Sequence, residues 1–177
     1  MVKTYIKLMV VGLFALTSTV MAGSDFKSNK EVVASDCRFR SNELQVDLFG
    51  TGGFYKQGQA SWGGGVGINY FFLKYVGLGV EQSLVAREDN TEWGTFGNLF
   101  LRYPICSWNL APYAIAGLGA IYGSSGDANL AGTVGGGIEY RFTDNIAIFG
   151  DARWLYNATN LNDGGAVLAR TGIKFAF

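Results

Sequence analysis

Charged residues recur at alternating positions inside otherwise apolar segments of this chain, and they are its strongest candidates for chemistry. Glu139 lies two residues before Arg141, and Asp151 lies two residues before Arg153, so in an extended strand each pair shares one face. Such charges can pair as a structural plug, or they can line a narrow ion path gated by re-pairing. The candidate residues are Asp47, Glu81, Arg102, Glu139, Arg141, Asp151, Arg153, Arg170 and Lys174.

Catalysis has little support in the composition. The sequence contains no His, the residue that most often serves as a general base, including in serine-based mechanisms. Asp127, Asp144 and Asp163 belong to separate connections and lack the spacing of a calcium loop. We therefore expect no enzyme activity, no cofactor and no metal site.

The last segment, 165–177, shows which kind of element positions the charges. Every second residue from Val167 to Phe177 is largely apolar, whereas the intervening set includes Arg170 and Lys174. A period of two with one apolar face predicts a β-strand. The charged opposite face predicts that lipid lies outside this strand and that a polar lumen lies inside it.

Eight segments of this kind predict an all-β fold, an eight-stranded antiparallel up-and-down transmembrane β-barrel with a polar, packed lumen. The fifth segment leaves two orientations open, with either Tyr113, Ile115 and Ile121 or Leu118 and Tyr122 facing outward. Short turns alternate with longer polar loops, so an even strand number places both chain ends at the short-turn, periplasmic end. The predicted strands are 43–54, 60–72, 75–86, 92–104, 111–123, 131–142, 145–157 and 165–177.

Aromatic residues collect near both ends of the segments, which predicts two belts at the membrane interfaces. The predicted belt at the short-turn end consists of Tyr70, Phe72, Tyr103, Tyr113, Tyr140, Phe142, Phe175 and Phe177. The predicted belt at the loop end consists of Phe54, Trp62, Trp93, Trp154 and Tyr156.

The N-terminus has the features of a secretory signal. Lys3 and Lys7 precede a short apolar run, and Val20-Met21-Ala22 is an acceptable cleavage site, so we predict cleavage after Ala22. Residues 23–42 are then a polar periplasmic extension, and residues 43–177 form the barrel. Removing two lysines leaves 12 basic and 14 acidic residues, a net charge of −2, which argues against nucleic acid as a partner.

Two cysteines, Cys37 and Cys106, are both placed on the periplasmic side by this topology. An oxidising compartment permits a disulfide that would pin the extension beneath the barrel. Whether the two residues pair or remain free thiols cannot be read from the sequence.

Several sequence features together resemble the small eight-stranded outer-membrane barrels, including the transmembrane domain of outer membrane protein A. They are the N-terminal signal, Pro112-Tyr113 before a Gly/Ala-rich segment, the segment Phe149–Arg153, and the ending Gly172–Phe177. The resemblance implies that Ile173, Phe175 and Phe177 form an assembly signal read by the barrel-insertion machinery. It also implies a bacterial outer-membrane location with lipid and lipopolysaccharide as partners.

The expected function is structural, either in envelope integrity or in surface interaction, and we expect a monomer. One alternative is a porin-like narrow channel for ions or small apolar solutes. Another is a secreted soluble ligand-binding barrel of the lipocalin type, which would need an apolar interior and a polar exterior. The alternation in segments six to eight indicates the reverse arrangement.

Overall fold

The described part of the chain forms a closed barrel of eight antiparallel strands, in which β8 pairs with β1. The computed structural model describes residues 37–55, 60–86, 91–123, 128–157 and 165–177. The predicted signal peptide, residues 1–22, and residues 23–36 of the predicted extension lie outside them. The strands are β1 Glu43–Tyr55, β2 Ala60–Phe71, β3 Val76–Ala86, β4 Thr91–Arg102, β5 Leu110–Tyr122, β6 Ala128–Arg141, β7 Ile146–Asn157 and β8 Ala166–Ala176.

Three connections and both termini of the barrel share one end, which we call the turn end. The connections are 72–75, 103–109 and 142–145, and the second contains a short 3-10 helix, Cys106–Trp108. Phe177 N–H donates to Leu44 O over 2.8 Å, which closes the barrel there. The opposite end is the loop end. Connection 103–109 is longer than 56–59 or 87–90 at the loop end, so loop length alone does not distinguish the two ends.

The alternation of side chains along the strands is the reverse of a soluble protein's. Arg141 and Arg153 are 1% and 2% exposed, whereas Leu48 is 59% exposed and Ile138 is 51% exposed. Large apolar side chains therefore cover the exterior, and charged side chains fill the interior, as predicted for a barrel in lipid. No helix among the described residues has both the length and the apolar character needed to span a membrane.

Strand β5 places Ala111, Tyr113 and Ile115 inside the barrel and Leu118 and Tyr122 outside. The predicted membership of Tyr113 in an outer aromatic belt is therefore wrong. Its ring lies opposite Gly137 of β6, which leaves interior space beside it. Its hydroxyl also finds a charged acceptor there, Asp151, which explains why an amphipathic ring is stable in the lumen.

Aromatic rings share the interior with the charges, although the sequence pattern predicts only a polar lumen. Phe71, Phe100, Tyr113 and Ile115 form a buried apolar cluster toward the turn end. Glycines make room for such rings: a Cβ on Gly77 would lie 2.7 Å from the Phe71 ring. The abundant glycines of the strands thus let a narrow barrel contain bulky inward side chains.

Candidate functional site: the charged lumen

A network of charged and polar side chains fills the turn-end half of the lumen. We call it the turn-end cluster, and its members are Glu43, Gln45, Arg102, Glu139, Arg141 and Lys174. They come from β1, β4, β6 and β8, strands that curvature brings face to face across a closed barrel.

Each acid of the turn-end cluster contacts several donors. Glu43 Oε1 lies 3.0 Å from Arg102 Nη1, and Arg141 Nη2 also binds it. Glu139 Oε1 lies 2.9 Å from Arg141 Nε, and its Oε2 lies 3.3 Å from Lys174 Nζ. The Gln45 amide donates to both acids, over 2.8 Å to Glu43 and 3.2 Å to Glu139. Shared donors of this kind lower the cost of burying each carboxylate.

Aromatic faces provide further contacts for the cations of this cluster. The Arg102 guanidinium lies 3.8 Å from the centre of the Phe71 ring. Lys174 Nζ lies 4.9 Å from the Phe149 ring centre and 5.0 Å from that of Tyr113. These distances are within the range of cation–π attraction, which is strongest for desolvated charges.

A second group, the central cluster, lies midway along the strands. Its members are Glu81 of β3, Asp151 and Arg153 of β7, and Arg170 of β8. Arg170 is the closer of the two cations, at 2.7 Å from Asp151 Oδ2 and 2.9 Å from Glu81 Oε2. Arg153 lies 3.2 Å from Asp151 Oδ1 and 3.1 Å from Glu81 Oε2. Each arginine therefore bridges both acids.

Tyr113 connects the two clusters. Its hydroxyl donates to Asp151 Oδ2 over 2.8 Å, while its ring faces Lys174 of the turn-end cluster. No signal in the sequence identified this role, because both faces of β5 lack charge and the orientation of the strand stayed open.

Asp47 is inside the barrel but belongs to neither cluster. Its Oδ2 accepts a 2.7 Å hydrogen bond from Asn69 Nδ2, and its Oδ1 has no hydrogen-bond partner among the described residues. The structure thus brings eight of the nine predicted lumen residues into two clusters and places the ninth nearby. The prediction omitted Glu43, although the same alternation that identified Asp47 places Glu43 on the inward face of β1.

The buried charges of the described strands balance. Five carboxylates and five cations are buried: Glu43, Asp47, Glu81, Glu139, Asp151, Arg102, Arg141, Arg153, Arg170 and Lys174. A net charge in so narrow and enclosed a space would be costly, because desolvation of each ion must be offset by attraction to its partner. The numbers of acids and cations are equal, and every one of these carboxylates except Asp47 is ion-paired, so the charges offset one another.

A small cavity of about 20 Å³ adjoins the central cluster. Phe49, Phe96, Glu81 and Arg170 line it together with the Thr51 and Thr133 side chains. Its volume suits roughly one water molecule. The Thr51 and Thr133 hydroxyls have no hydrogen-bond partner among the described residues.

The remaining predicted site residues lie at the turn end or on the outer wall. Cys37 and Cys106 are joined by a disulfide, with their Cα atoms 4.7 Å apart. Ile173, Phe175 and Phe177 project outward and are 43%, 41% and 71% exposed. Among the described residues, no group of three or more Asp, Glu or Cys residues is arranged to hold a metal ion.

Solved structures share this architecture. The chain is similar to the N-terminal β-barrel domain of OprF from Pseudomonas aeruginosa, with a TM-score of 0.63 and 21% identity over 77% of this chain and 98% of that one. It is also similar to Neisserial surface protein A, with a TM-score of 0.62 and 13% identity over 76% of this chain and 96% of that one. No protein-family model matches the sequence, and no curated protein matches it significantly.

At these identities the likeness is one of fold. This likeness agrees with the closed antiparallel topology of the eight strands. The chain has the fold of the small eight-stranded β-barrels of bacterial outer membranes.

Proposed function

We propose that this protein is a structural barrel of a bacterial outer membrane, with a role in envelope integrity or surface interaction and with a lumen that does not conduct. The observation that carries the proposal is the burial of five carboxylates and five cations beneath an apolar outer wall, with every one of these carboxylates except Asp47 held in an ion pair. The apolar wall fits acyl chains, and the paired charges occupy the space that a pore would need.

Export and insertion belong to the same proposal. Residues 1–22 act as a cleaved signal, and the outward side chains of Ile173, Phe175 and Phe177 act as the recognition signal for the barrel-assembly machinery. Their exposure on the outer wall supports this role, because an inserting factor could contact them there. The barrel's partners are then outer-membrane lipid and lipopolysaccharide. A monomer suffices, since β8 pairs with β1 and leaves no open sheet edge.

The lumen geometry favours the structural role over both alternatives. A channel needs a continuous open path, whereas two clusters of buried ion pairs fill the turn-end half and the middle of this lumen. A soluble ligand-binding barrel needs an apolar interior, whereas the largest fully buried side chains include Arg141, Arg153 and Lys174.

Fractionation and conductance measurements test the proposal together. The full chain, expressed in a Gram-negative host, should appear in the outer-membrane fraction with the mass expected after cleavage at Ala22, and its gel migration should change on heating. The purified protein should give no single-channel steps in planar bilayers, while a general porin measured in parallel gives them. Recovery in the soluble fraction would overturn the membrane assignment, and reproducible steps would overturn the closed lumen.

A further inference from the structure

The segment 37–42 closes the turn end of the lumen, and we call it the stopper. Phe39 at its centre is 2% exposed. The guanidinium groups of Arg141 and Arg102 lie 4.5 Å and 5.0 Å from its ring centre. The stopper therefore covers the turn-end cluster at the mouth of the lumen, and its phenyl ring shields two of the buried cations from water.

Backbone groups of the stopper also belong to the ion network. Arg141 Nη1 donates to Arg38 O, and Arg102 Nη2 donates to Arg40 O over 3.4 Å. In return, Arg38 Nη1 donates to Arg141 O over 2.7 Å and to Phe142 O over 2.6 Å. If the stopper moved away, two buried arginines would lose carbonyl partners, and water would gain access to them.

A single covalent bond ties the start of the stopper to the barrel. Cys37 bonds to Cys106 of the 103–109 connection, and both residues are only partly buried. Lys74 Nζ lies 3.4 Å from Cys106 Sγ. A neighbouring ammonium stabilises a thiolate, and a disulfide exchanges faster when the departing sulfur is a stabilised thiolate.

We propose that Cys37–Cys106 is a thiol–disulfide exchange site with a dithiol reductant as its substrate, and that its reduction releases the stopper from the turn end of the lumen. The inference goes beyond the structural role above and rests on it only in that the stopper closes a barrel lumen.

The exchange proceeds in two balanced steps. A thiolate of the reductant attacks Cys37 Sγ, forming a mixed disulfide, and the electron pair of the Cys37–Cys106 bond leaves on Cys106 Sγ beside the Lys74 ammonium. The second thiolate of the reductant then attacks the reductant sulfur that is bonded to Cys37, and Cys37 leaves as a thiolate. The reductant ends as a disulfide, and the protein has gained two electrons.

Substitution of Lys74 tests whether the reductant attacks Cys37 and Cys106 is the leaving group. The folded full chain in detergent is treated with dithiothreitol, and the rate of thiol appearance is followed for the wild type, Lys74→Gln and Lys74→Arg. We expect Lys74→Gln to slow exchange roughly threefold, since exchange rates depend moderately on leaving-group stability. Lys74→Arg should restore most of the rate because it keeps the charge. Equal rates for all three proteins would overturn the assignment of Cys106 as the leaving group.

The release of the stopper has a separate readout. Trypsin cleavage after Arg38, identified by fragment mass, should be roughly tenfold faster in the reduced protein than in the oxidised protein, because cleavage requires local opening. The heat-induced shift in gel migration must persist after reduction, which shows that the barrel is still folded. The double variant Cys37→Ser/Cys106→Ser should match the reduced wild type and should not respond to dithiothreitol.

A cleavage rate that reduction leaves unchanged would overturn the release of the stopper. A disulfide that reacts only after the barrel is denatured would overturn the exchange site. Neither result would change the interpretation of the conductance measurement above. Conductance by the oxidised protein would contradict the closed lumen, but it would not affect the measured rates of thiol–disulfide exchange.

Discussion

The turn-end cluster and the central cluster each bury two ion-paired carboxylates, but their surroundings differ. At the turn end, Glu43 and Glu139 face three cations and the Gln45 amide, and the stopper covers the cluster. At the centre, Glu81 and Asp151 face two arginines, and the cavity beside them is lined by two threonines whose hydroxyls have no hydrogen-bond partner among the described residues. One region is sealed and fully partnered, whereas the other retains space for water.

The two clusters therefore differ in how many parts of the barrel they connect. The turn-end cluster fixes β1, β4, β6 and β8 to one another and to the chain that precedes β1, so any change there disturbs several strands. The central cluster needs only β3, β7 and β8, and a water in the cavity can respond to small shifts. We therefore expect substitutions at the turn end to have larger effects on stability than substitutions at the centre.

The largest effect is expected for Glu139→Gln. The change leaves Arg141 and Lys174 without their shared carboxylate and raises the formal charge of the cluster from +1 to +2. Breaking a buried ion pair from one side should lower the free energy of unfolding by about 3–5 kcal/mol. Guanidinium unfolding of the barrel in lipid vesicles measures it. Ile138→Val, next in sequence but on the outer wall, is the matched control, and an equal loss in both variants would contradict the comparison.

A smaller loss of stability is expected in the central cluster, where its two arginines can be compared directly. Arg170 lies closer to both acids than Arg153 does. Arg170→Gln should therefore cost about 3 kcal/mol, at the low end for a broken buried pair. Arg153→Gln should cost about 1.5 kcal/mol, the scale of one hydrogen bond to a charged group. The same unfolding assay applies, and the reverse order would show that contact distance does not govern the cluster.

Much of the comparison could be predicted from the sequence, because period-two alternation depends only on extended backbone geometry. Alternation placed Glu81, Arg153 and Arg170 in the lumen and Ile138 and Ile173 on the wall. It needed no knowledge of which strands are neighbours.

The pairing of the charges could not be predicted, since it depends on register and closure. Glu43 meets Arg141 only because β8 closes onto β1 and the barrel brings β6 across the lumen. The burial of Phe39 was also beyond sequence reasoning, because the segment before β1 is polar and has no alternation. The orientation of β5 stayed open for a related reason: this strand carries no charged residue, so the sequence does not distinguish its two faces.

Removal of the Tyr113 hydroxyl tests the link between the two clusters. Tyr113→Phe keeps the ring beside Lys174 but deletes the hydrogen bond to Asp151. The expected loss is about 2 kcal/mol, since a buried charged acceptor loses a neutral donor. Denaturant unfolding again measures it. Tyr140→Phe on the outer wall should change stability by no more than about 0.5 kcal/mol. If Tyr113→Phe loses no more stability than this control, Asp151 accepts a replacement hydrogen bond from another donor.

The smallest effect, and the one with the opposite sign, is expected at the cavity. Thr133 is 4% exposed, and its hydroxyl has no hydrogen-bond partner among the described residues. Thr133→Val keeps the shape and removes a buried polar atom, so stability should rise by about 1 kcal/mol.

Thr95→Val is the matched control for that gain. The Thr95 hydroxyl donates to Gln82 Oε1 over 2.6 Å, so the same substitution there should lose about 1 kcal/mol. If the free energy of unfolding rises in Thr133→Val and falls in Thr95→Val, the Thr133 hydroxyl beside the central cluster lacks a hydrogen bond in the folded protein. A loss at Thr133 as well would show that a water in the cavity already satisfies its hydroxyl, and the two halves of the lumen would then be equally well partnered.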